Sequence, residues 1–245
     1  MRDVILQYIT NTDFKLRGSD YIQIIRLLGK GNTAEVFDCK NGKVCKLFFE
    51  GYPPEYAELE FKNAKKMYRN KISVPKPFEM VKIENREGII YEKIEGKTLQ
   101  NIITETEEGI DAILDIFVNL HLKILSHHSK NVLPYKEYII SILKNKRITD
   151  QIVFNKVIAL PDDDYFLHGD FHPNNILIMP DKTPVVIDFM NVCYGPALYD
   201  IARTYFLIKQ YNIYLANQYL KKMGAVKNDI AEFLDIIEFC RKYED

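Results

Sequence analysis

Three side chains, Asp170, Asn175 and Asp188, sit at a spacing that suits one piece of chemistry: holding a hard cation while orienting an attacking hydroxyl. They belong to His168-Gly169-Asp170-Phe171-His172-Pro173-Asn174-Asn175, which runs into an apolar stretch and is followed by Val185-Val186-Ile187-Asp188-Phe189. If 176–179 and 185–188 are the arms of a hairpin turning at Asp181-Lys182, Asn175 lies opposite Asp188. Directly opposed residues have Cα atoms about 4.5–5.5 Å apart, so an amide oxygen and a carboxylate converge on one cation. Oxygen donors of this kind suit magnesium carrying phosphate. Asp170, on the preceding loop, faces the same place and can hold a hydroxyl in line with the phosphorus. A rival grouping makes His168 and His172 ligands of a transition metal with Asp170. It lacks a further well-spaced ligand, because His121, His127 and His128 fall on a separate helical segment.

A second group lies far upstream. Leu28-Gly29-Lys30-Gly31-Asn32-Thr33-Ala34-Glu35-Val36 reads as strand, glycine loop and strand, in which Gly29 and Gly31 let backbone amides approach phosphate oxygens. Lys46 interrupts the apolar run Val44-Cys45-Lys46-Leu47-Phe48, and a lysine there costs desolvation unless an anion meets it. Phosphate oxygens and a helix glutamate would serve. On the helix that follows Pro54, Glu60 shares a face with Ala64 and Met67, whereas Glu58 lies with Lys62 and Lys65. Glu60 is therefore the better partner, with Glu55 and Glu58 as alternatives. Strand alternation puts Val44 and Lys46 on one face. For Val36 to join them, the connection around Lys40-Asn41-Gly42 must contain an odd number of residues, with Gly42 left-handed.

The elements that must position these groups follow from pattern. Strands are expected over 22–28, 34–39, 44–49, 78–83 and 88–94, with one helix from Pro54 to about Tyr68. Beyond a linker at 94–97 the periodicity turns helical, with Ile113, Ile116, Phe117, Leu120 and Ile124 on one face. A hairpin interrupts the helices between Phe166 and Asp188, and they resume at Leu198. The division expected is 1–94 and 95–245.

Composition narrows the class of protein. A balance of 33 Lys and Arg against 34 Asp and Glu gives no basic field for nucleic acid or a membrane surface. Cys39, Cys45, Cys193 and Cys240 are scattered and form no CxxC pair, which suits a reducing compartment and disfavours structural zinc. No stretch reads as a signal or a membrane span, so a soluble, cytoplasmic protein is expected.

Glycine loop, strand lysine, helix glutamate, His-Gly-Asp with Asn five residues on, and Ile-Asp-Phe together resemble the aminoglycoside phosphotransferase family, over about residues 22–207. That family includes choline, ethanolamine, fructosamine, homoserine and methylthioribose kinases. The resemblance implies an α+β, bilobal protein-kinase-like fold: a five-stranded antiparallel sheet in a nucleotide-binding lobe, 1–94, and a mainly helical catalytic and acceptor-binding lobe, 95–245. It implies ATP or GTP with Mg2+, Lys46 on the α- and β-phosphates and paired with Glu60, Asp170 as catalytic base, and Asn175 and Asp188 as magnesium ligands. Tyr91 would back the nucleotide pocket, Val36 and Val44 would face adenine, and the C=O of Glu92 and N–H of Ile94 would meet its edge. Asp200 matches an aspartate that braces the catalytic loop. Ala34 replaces the third glycine of the protein-kinase loop and Met190 follows Asp188-Phe189, departures that favour the small-molecule branch. Asn174 stands where the family often has glycine, and Asn tolerates left-handed backbone.

The acceptor expected is a small hydroxylated molecule, preferred over a bulky aminoglycoside because the chain after Asp188 is short. Aromatics among Tyr199, Tyr205, Phe206, Tyr211, Tyr214 and Tyr219 can line its pocket, although residues at such spacing usually form core. Asp229, Glu232, Asp235 and Glu238 can instead attract a polyamine-like antibiotic or form a solvated helix face. A protein serine/threonine kinase is disfavoured by the lack of an activation segment between Asp188 and Asp200. A nucleotide-binding pseudokinase is disfavoured because lysine, base and both metal ligands are present. Nothing in the sequence sets an oligomeric state.

Overall fold

The computed structural model describes residues 13–15, 21–105 and 109–244. It divides into two compact units, Met1–Glu95 and Gly96–Asp245.

The first unit is built on an antiparallel sheet. Its strands are β1 (Asp13–Lys15), β2 (Tyr21–Lys30), β3 (Ala34–Cys39), β4 (Lys43–Phe48), β5 (Pro77–Ile83) and β6 (Arg86–Glu92), in the order β1-β2-β3-β4-β6-β5. All five expected strands are present; the short β1 adds to the edge of β2. Lys40, Asn41 and Gly42 join β3 to β4, with Asn41 and Gly42 at φ 63° and 65°. Cys39 pairs with Lys43, so the connection has the odd length that puts Val36 directly opposite Lys46. Val36, Val44 and Lys46 thus share the half-buried face, while Phe37, Cys45 and Leu47 fill the other with Ile24, Val81, Ile83 and Ile90.

Helix α1 (Pro54–Arg69) opens on a proline whose missing N–H costs nothing there. Glu55 in its first turn and Lys66 and Arg69 in its last complement the helix dipole. Ala57, Glu60, Ala64 and Met67 recur at helical spacing and form its buried face.

The second unit is mainly helical: α2 (Leu99–Glu105), α3 (Ile110–Leu125), α4 (Tyr135–Asn145), α5 (Gln151–Ala159), α6 (Ala197–Lys209), α7 (Ile213–Lys222) and α8 (Ala231–Glu244). One small sheet joins β7 (Lys97–Thr98), β10 (Ile176–Ile178) and β11 (Pro184–Val186). Another joins β8 (Leu133–Pro134), β9 (Tyr165–Leu167) and β12 (Cys193–Gly195). The buried face of α3 is Leu114, Phe117, Val118, Leu120, His121, Ile124 and Leu125, so Ile113 and Ile116 flank it rather than centre it. Helix α6 is buried on nearly all sides, Asp200 and Arg203 included. A buried helix can carry charges only where specific partners meet them. Among the described residues no helix is long and apolar enough to cross a membrane.

The hairpin of β10 and β11 corrects one expectation. Ile176 pairs with Val186 and Ile178 with Pro184, so Asn175 stands opposite Ile187, whose N–H donates to the Asn175 carbonyl at 2.9 Å. Asp188 lies one residue further on. The cause is the turn. Met179 and Thr183 are joined by a backbone hydrogen bond across Pro180, Asp181 and Lys182, with Lys182 left-handed at φ 68° and Asp181 Oδ1 accepting from the Thr183 N–H. A proline-started three-residue connection shifts the register by one relative to a two-residue turn.

Candidate active site

Asp200, Arg203 and Thr204 share one face of α6, and together they hold four successive residues of the loop after β9. Asp200 Oδ2 accepts from the His168 N–H and Oδ1 from the Gly169 N–H, each at 2.9 Å. The Arg203 guanidinium donates to the Gly169 carbonyl and lies 3.7 Å from Asp170 Oδ1. The Thr204 hydroxyl donates to the Phe171 carbonyl at 2.9 Å. Gly169 is required: its φ is +76°, and a Cβ there would lie 2.1 Å from the Asn191 carbonyl oxygen.

Asp200 is fully buried. Burial pushes its carboxyl up, but the bond from His121, the pull of the nearby His121 and His168 rings and the bond from the His168 N–H more than offset this and hold it below the ordinary range. His121 Nε2 lies 3.1 Å from Asp200 Oδ2 and its Nδ1 lies 2.8 Å from the Tyr219 hydroxyl. The Asp200 carboxylate can only accept, so Nε2 carries a proton, and Nδ1 and the Tyr219 hydroxyl share a second hydrogen bond. The expectation that His121 is remote from the loop is therefore corrected: α3 delivers it against Phe171, ring on ring, at 4.2 Å.

Asp170 is partly exposed. Its burial raises the carboxyl pKa, yet the neighbouring His172 and the Arg203 guanidinium hold it well below the carboxylate range. His172 Nε2 is 3.6 Å from Asp170 Oδ2. The Asn175 amide nitrogen donates to the Asp170 carbonyl at 3.0 Å and to its Oδ2 at 3.2 Å, which leaves Asn175 Oδ1 as that side chain's acceptor. His168 Nδ1 accepts from the Asp170 N–H at 3.3 Å, so its proton sits on Nε2, which is buried without a partner among the described residues. Burial pushes the His168 pKa down, against the pull of Asp200, Asp170 and Asp188.

Asp188 has left-handed backbone at φ 68° and is half-buried. Taken together, Asn175 Oδ1 and the Asp188 carboxylate would offer a donor set that is all oxygen, hard and incomplete. It fits magnesium, which takes one or two protein ligands and completes its shell with phosphate and water. It offers neither the nitrogen nor the sulfur on which most zinc sites are built. Asn174 lies in the right-handed 3-10 turn Pro173–Asn175, so its tolerance for left-handed backbone is not used.

In the first unit, Lys46 Nζ lies 2.8 and 2.9 Å from the two carboxylate oxygens of Glu60. Both side chains are largely buried, and β4 is a central strand, which rules out a solvated edge lysine. The Tyr91 hydroxyl donates to Glu60 Oε1 at 3.3 Å. Glu58 pairs with Lys62 on the solvent side of α1. Gly29 pairs with Val36 across the β2–β3 hairpin, and Gly31 donates its N–H to the Ala34 carbonyl at 2.9 Å. Neither glycine has a left-handed φ, and no atom lies within 4 Å of a Cβ built on Gly29. Glu92 is the last residue of β6, and Ile94 lies two residues beyond it, so this strand stops short of the expected end at 94.

Tyr199, Tyr205, Phe206 and Tyr219 are core, leaving Tyr211 and Tyr214 exposed. Asp229, Glu232, Asp235 and Glu238 are all exposed. Sequence reasoning missed His121, Arg203, Thr204 and Tyr219 as loop supports. The spacing of Asp200, Arg203 and Thr204 on one helical face was the available signal.

A family model described as the phosphotransferase enzyme family matches residues 24–222. No curated protein is matched. Among solved structures, a thermostable mutant of aminoglycoside phosphotransferase APH(4)-Ia in ternary complex with AMP-PNP and hygromycin B is 15% identical, with TM-score 0.64, covering 91% of this chain and 87% of that one. APH(3'')-Id from Streptomyces rimosus, in complex with ADP and streptomycin, is 10% identical with TM-score 0.63, covering 84% and 90%. The GDP and kanamycin complex of APH(2")-IIIa is 12% identical with TM-score 0.64, covering 99% and 89%. At these identities the likeness establishes the fold, which is that of the kinase-like aminoglycoside phosphotransferases.

Proposed function

The chain belongs to the phosphotransferase enzyme family, and on that premise we propose that it moves the γ-phosphate of ATP or GTP to a hydroxyl of a small molecule, with Asp170 as the base. The observation that carries this reading is Asp170 itself: a carboxylate kept ionised, turned by Asn175 and Arg203, on a loop anchored to a buried helix. Such a group accepts the hydroxyl proton and aligns its oxygen. It need not be strongly basic, because the phosphoryl transition state is loose and gains most from positioning.

The remaining roles are proposed on the same basis. Lys46, held by Glu60, meets the α- and β-phosphates; Gly29 and Gly31 allow main-chain approach to them. Val36 and Val44 face the base, Tyr91 backs it, and Glu92 and Ile94 read its edge. Magnesium, held by Asn175 Oδ1 and Asp188, would neutralise charge on the phosphates. Residues 1–94 serve the nucleotide and 95–245 the chemistry and the acceptor. With four buried free thiols, the protein suits a reducing cytoplasm.

The acceptor class is a small hydroxylated metabolite. The second reading is an aminoglycoside, favoured by the hygromycin B, streptomycin and kanamycin bound in the solved structures. Incubation with magnesium and ATP or GTP against panels of hydroxylated metabolites and aminoglycosides, read by mass spectrometry, tests both. Phosphorylated product from small alcohols supports the first, and efficient turnover of kanamycin-like compounds alone replaces it with the second. Absence of any phosphorylated product, with proteins included in the panel, would sink the small-molecule kinase reading.

A further inference from the structure

The end of β6 holds an irregular ladder whose cause is a side chain. The Lys93 N–H donates to the Gly42 carbonyl at 2.9 Å, so Lys93 turns its main-chain groups toward the β3–β4 connection. Alternate residues of an extended chain turn theirs to the opposite edge, which places Glu92 and Ile94 together there. The Glu92 N–H donates to the Lys76 carbonyl at 2.9 Å. In a regular antiparallel pair, the Lys76 N–H would return that bond to the Glu92 carbonyl. It donates instead to Glu92 Oε2, at 3.1 Å. The Lys76 N–H is thus satisfied without the carbonyl, and the Ile94 N–H has no backbone acceptor among the described residues. The intervening Lys93 is pinned by ion pairs to Asp38 at 3.0 Å and Glu95 at 2.8 Å.

Resting on the phosphotransferase reading above, we propose that Glu92 is a positioning residue for the nucleotide base. Its carboxylate draws the Lys76 N–H out of the ladder, keeps the Glu92 carbonyl available as an acceptor, and so makes the protein select adenine over guanine. The logic is donor and acceptor matching. Adenine presents an amino donor at position 6, where guanine presents a carbonyl acceptor. A carbonyl facing the first gains a hydrogen bond, and facing the second leaves two acceptors opposed. Rejection through unmatched buried polar groups is stronger than rejection by shape.

Calorimetric titration of the full chain with magnesium-ATP and magnesium-GTP, for wild type, Glu92→Ala and Glu92→Gln, tests this. Wild type should prefer ATP. In Glu92→Ala the Lys76 N–H is released to the carbonyl, and ATP affinity should fall about 3- to 10-fold, the worth of one neutral hydrogen bond, while GTP, no longer opposed by an open acceptor, should not weaken. Glu92→Gln should restore the wild-type ratio, because its amide oxygen also accepts from Lys76. A merely structural role at the strand end would weaken both nucleotides together. Equal weakening, an unchanged ATP affinity in Glu92→Ala, failure of Glu92→Gln to restore the ratio, or a wild-type preference for GTP each overturns the inference while leaving phosphotransfer intact. Binding of neither nucleotide by wild type overturns the functional reading, and the inference with it.

Discussion

His121 and Asp200, 79 residues apart in the chain, meet in a fully buried hydrogen bond of 3.1 Å. This bond links α3 to the helix that holds the Asp170 loop, and Tyr219 continues it into α7. Tyr219→Phe removes one buried hydrogen bond and should cost about 0.5–1.5 kcal/mol in urea unfolding, with turnover largely kept. Asp200→Ala strands two buried N–H groups and His121. At about 1–3 kcal/mol for each unsatisfied group, it should destabilise far more and abolish turnover.

Asp170→Ala should lower turnover by about 10²- to 10⁴-fold, the usual worth of a positioned base, while nucleotide affinity changes little. Asp188→Ala should weaken magnesium-nucleotide binding itself. Because the Asp170 carboxyl is held below its ordinary 3.8, its protonation should produce no acid limb in the rate profile down to pH 5. Wild-type turnover in Asp170→Ala with the true acceptor contradicts the assignment.

Lys46→Met leaves Glu60 buried without its cation, so it should cost about 3–5 kcal/mol as well as nucleotide affinity. Removing both charges, in Lys46→Met with Glu60→Gln, should recover much of the stability and none of the affinity. Denaturation curves alongside nucleotide titration separate the two effects. If the double variant is no more stable than Lys46→Met, the stranded charge is not what destabilises it.

His168 is buried and its pKa is pushed below the ordinary 6.5. Below that value the unfolded chain binds a proton that the folded chain refuses, so stability should fall with decreasing pH, by at most about 1.4 kcal/mol per unit. His168→Gln should flatten the slope between pH 6.5 and 5.5. Asp170 and Asp200, with lowered pKa values, act in a more acid window: their contribution holds above the ordinary 3.8 and is lost as pH falls through their folded values. Urea midpoints across the range read both.

Gly169→Ala combines a left-handed backbone with a Cβ 2.1 Å from a main-chain oxygen that cannot swing aside. It should fail to fold or lose turnover even where Asp170 is intact, and the soluble yield with a circular dichroism melt will tell which.

What could be read from the sequence alone was local. Alternation and Asn-Gly chemistry suffice for β3, β4 and the shared face of Val36, Val44 and Lys46, because strand period and turn length are short-range properties. Helical spacing singled out Glu60 from Glu55 and Glu58 for the same reason. One turn residue was enough to mislead: Pro180 lengthened the connection and moved Asp188 off the position opposite Asn175. Among the supports of the Asp170 loop, Asp200 was legible through the family resemblance, and Arg203 and Thr204 shared its helical face, whereas His121 and Tyr219 lay beyond any local pattern. His121, Asp200, Arg203 and Tyr219 are recruited from α3, α6 and α7, and a histidine on an apolar helix carries no mark of the carboxylate it will meet. Only folding decides that, because a buried carboxylate must find donors wherever the packed chain brings them.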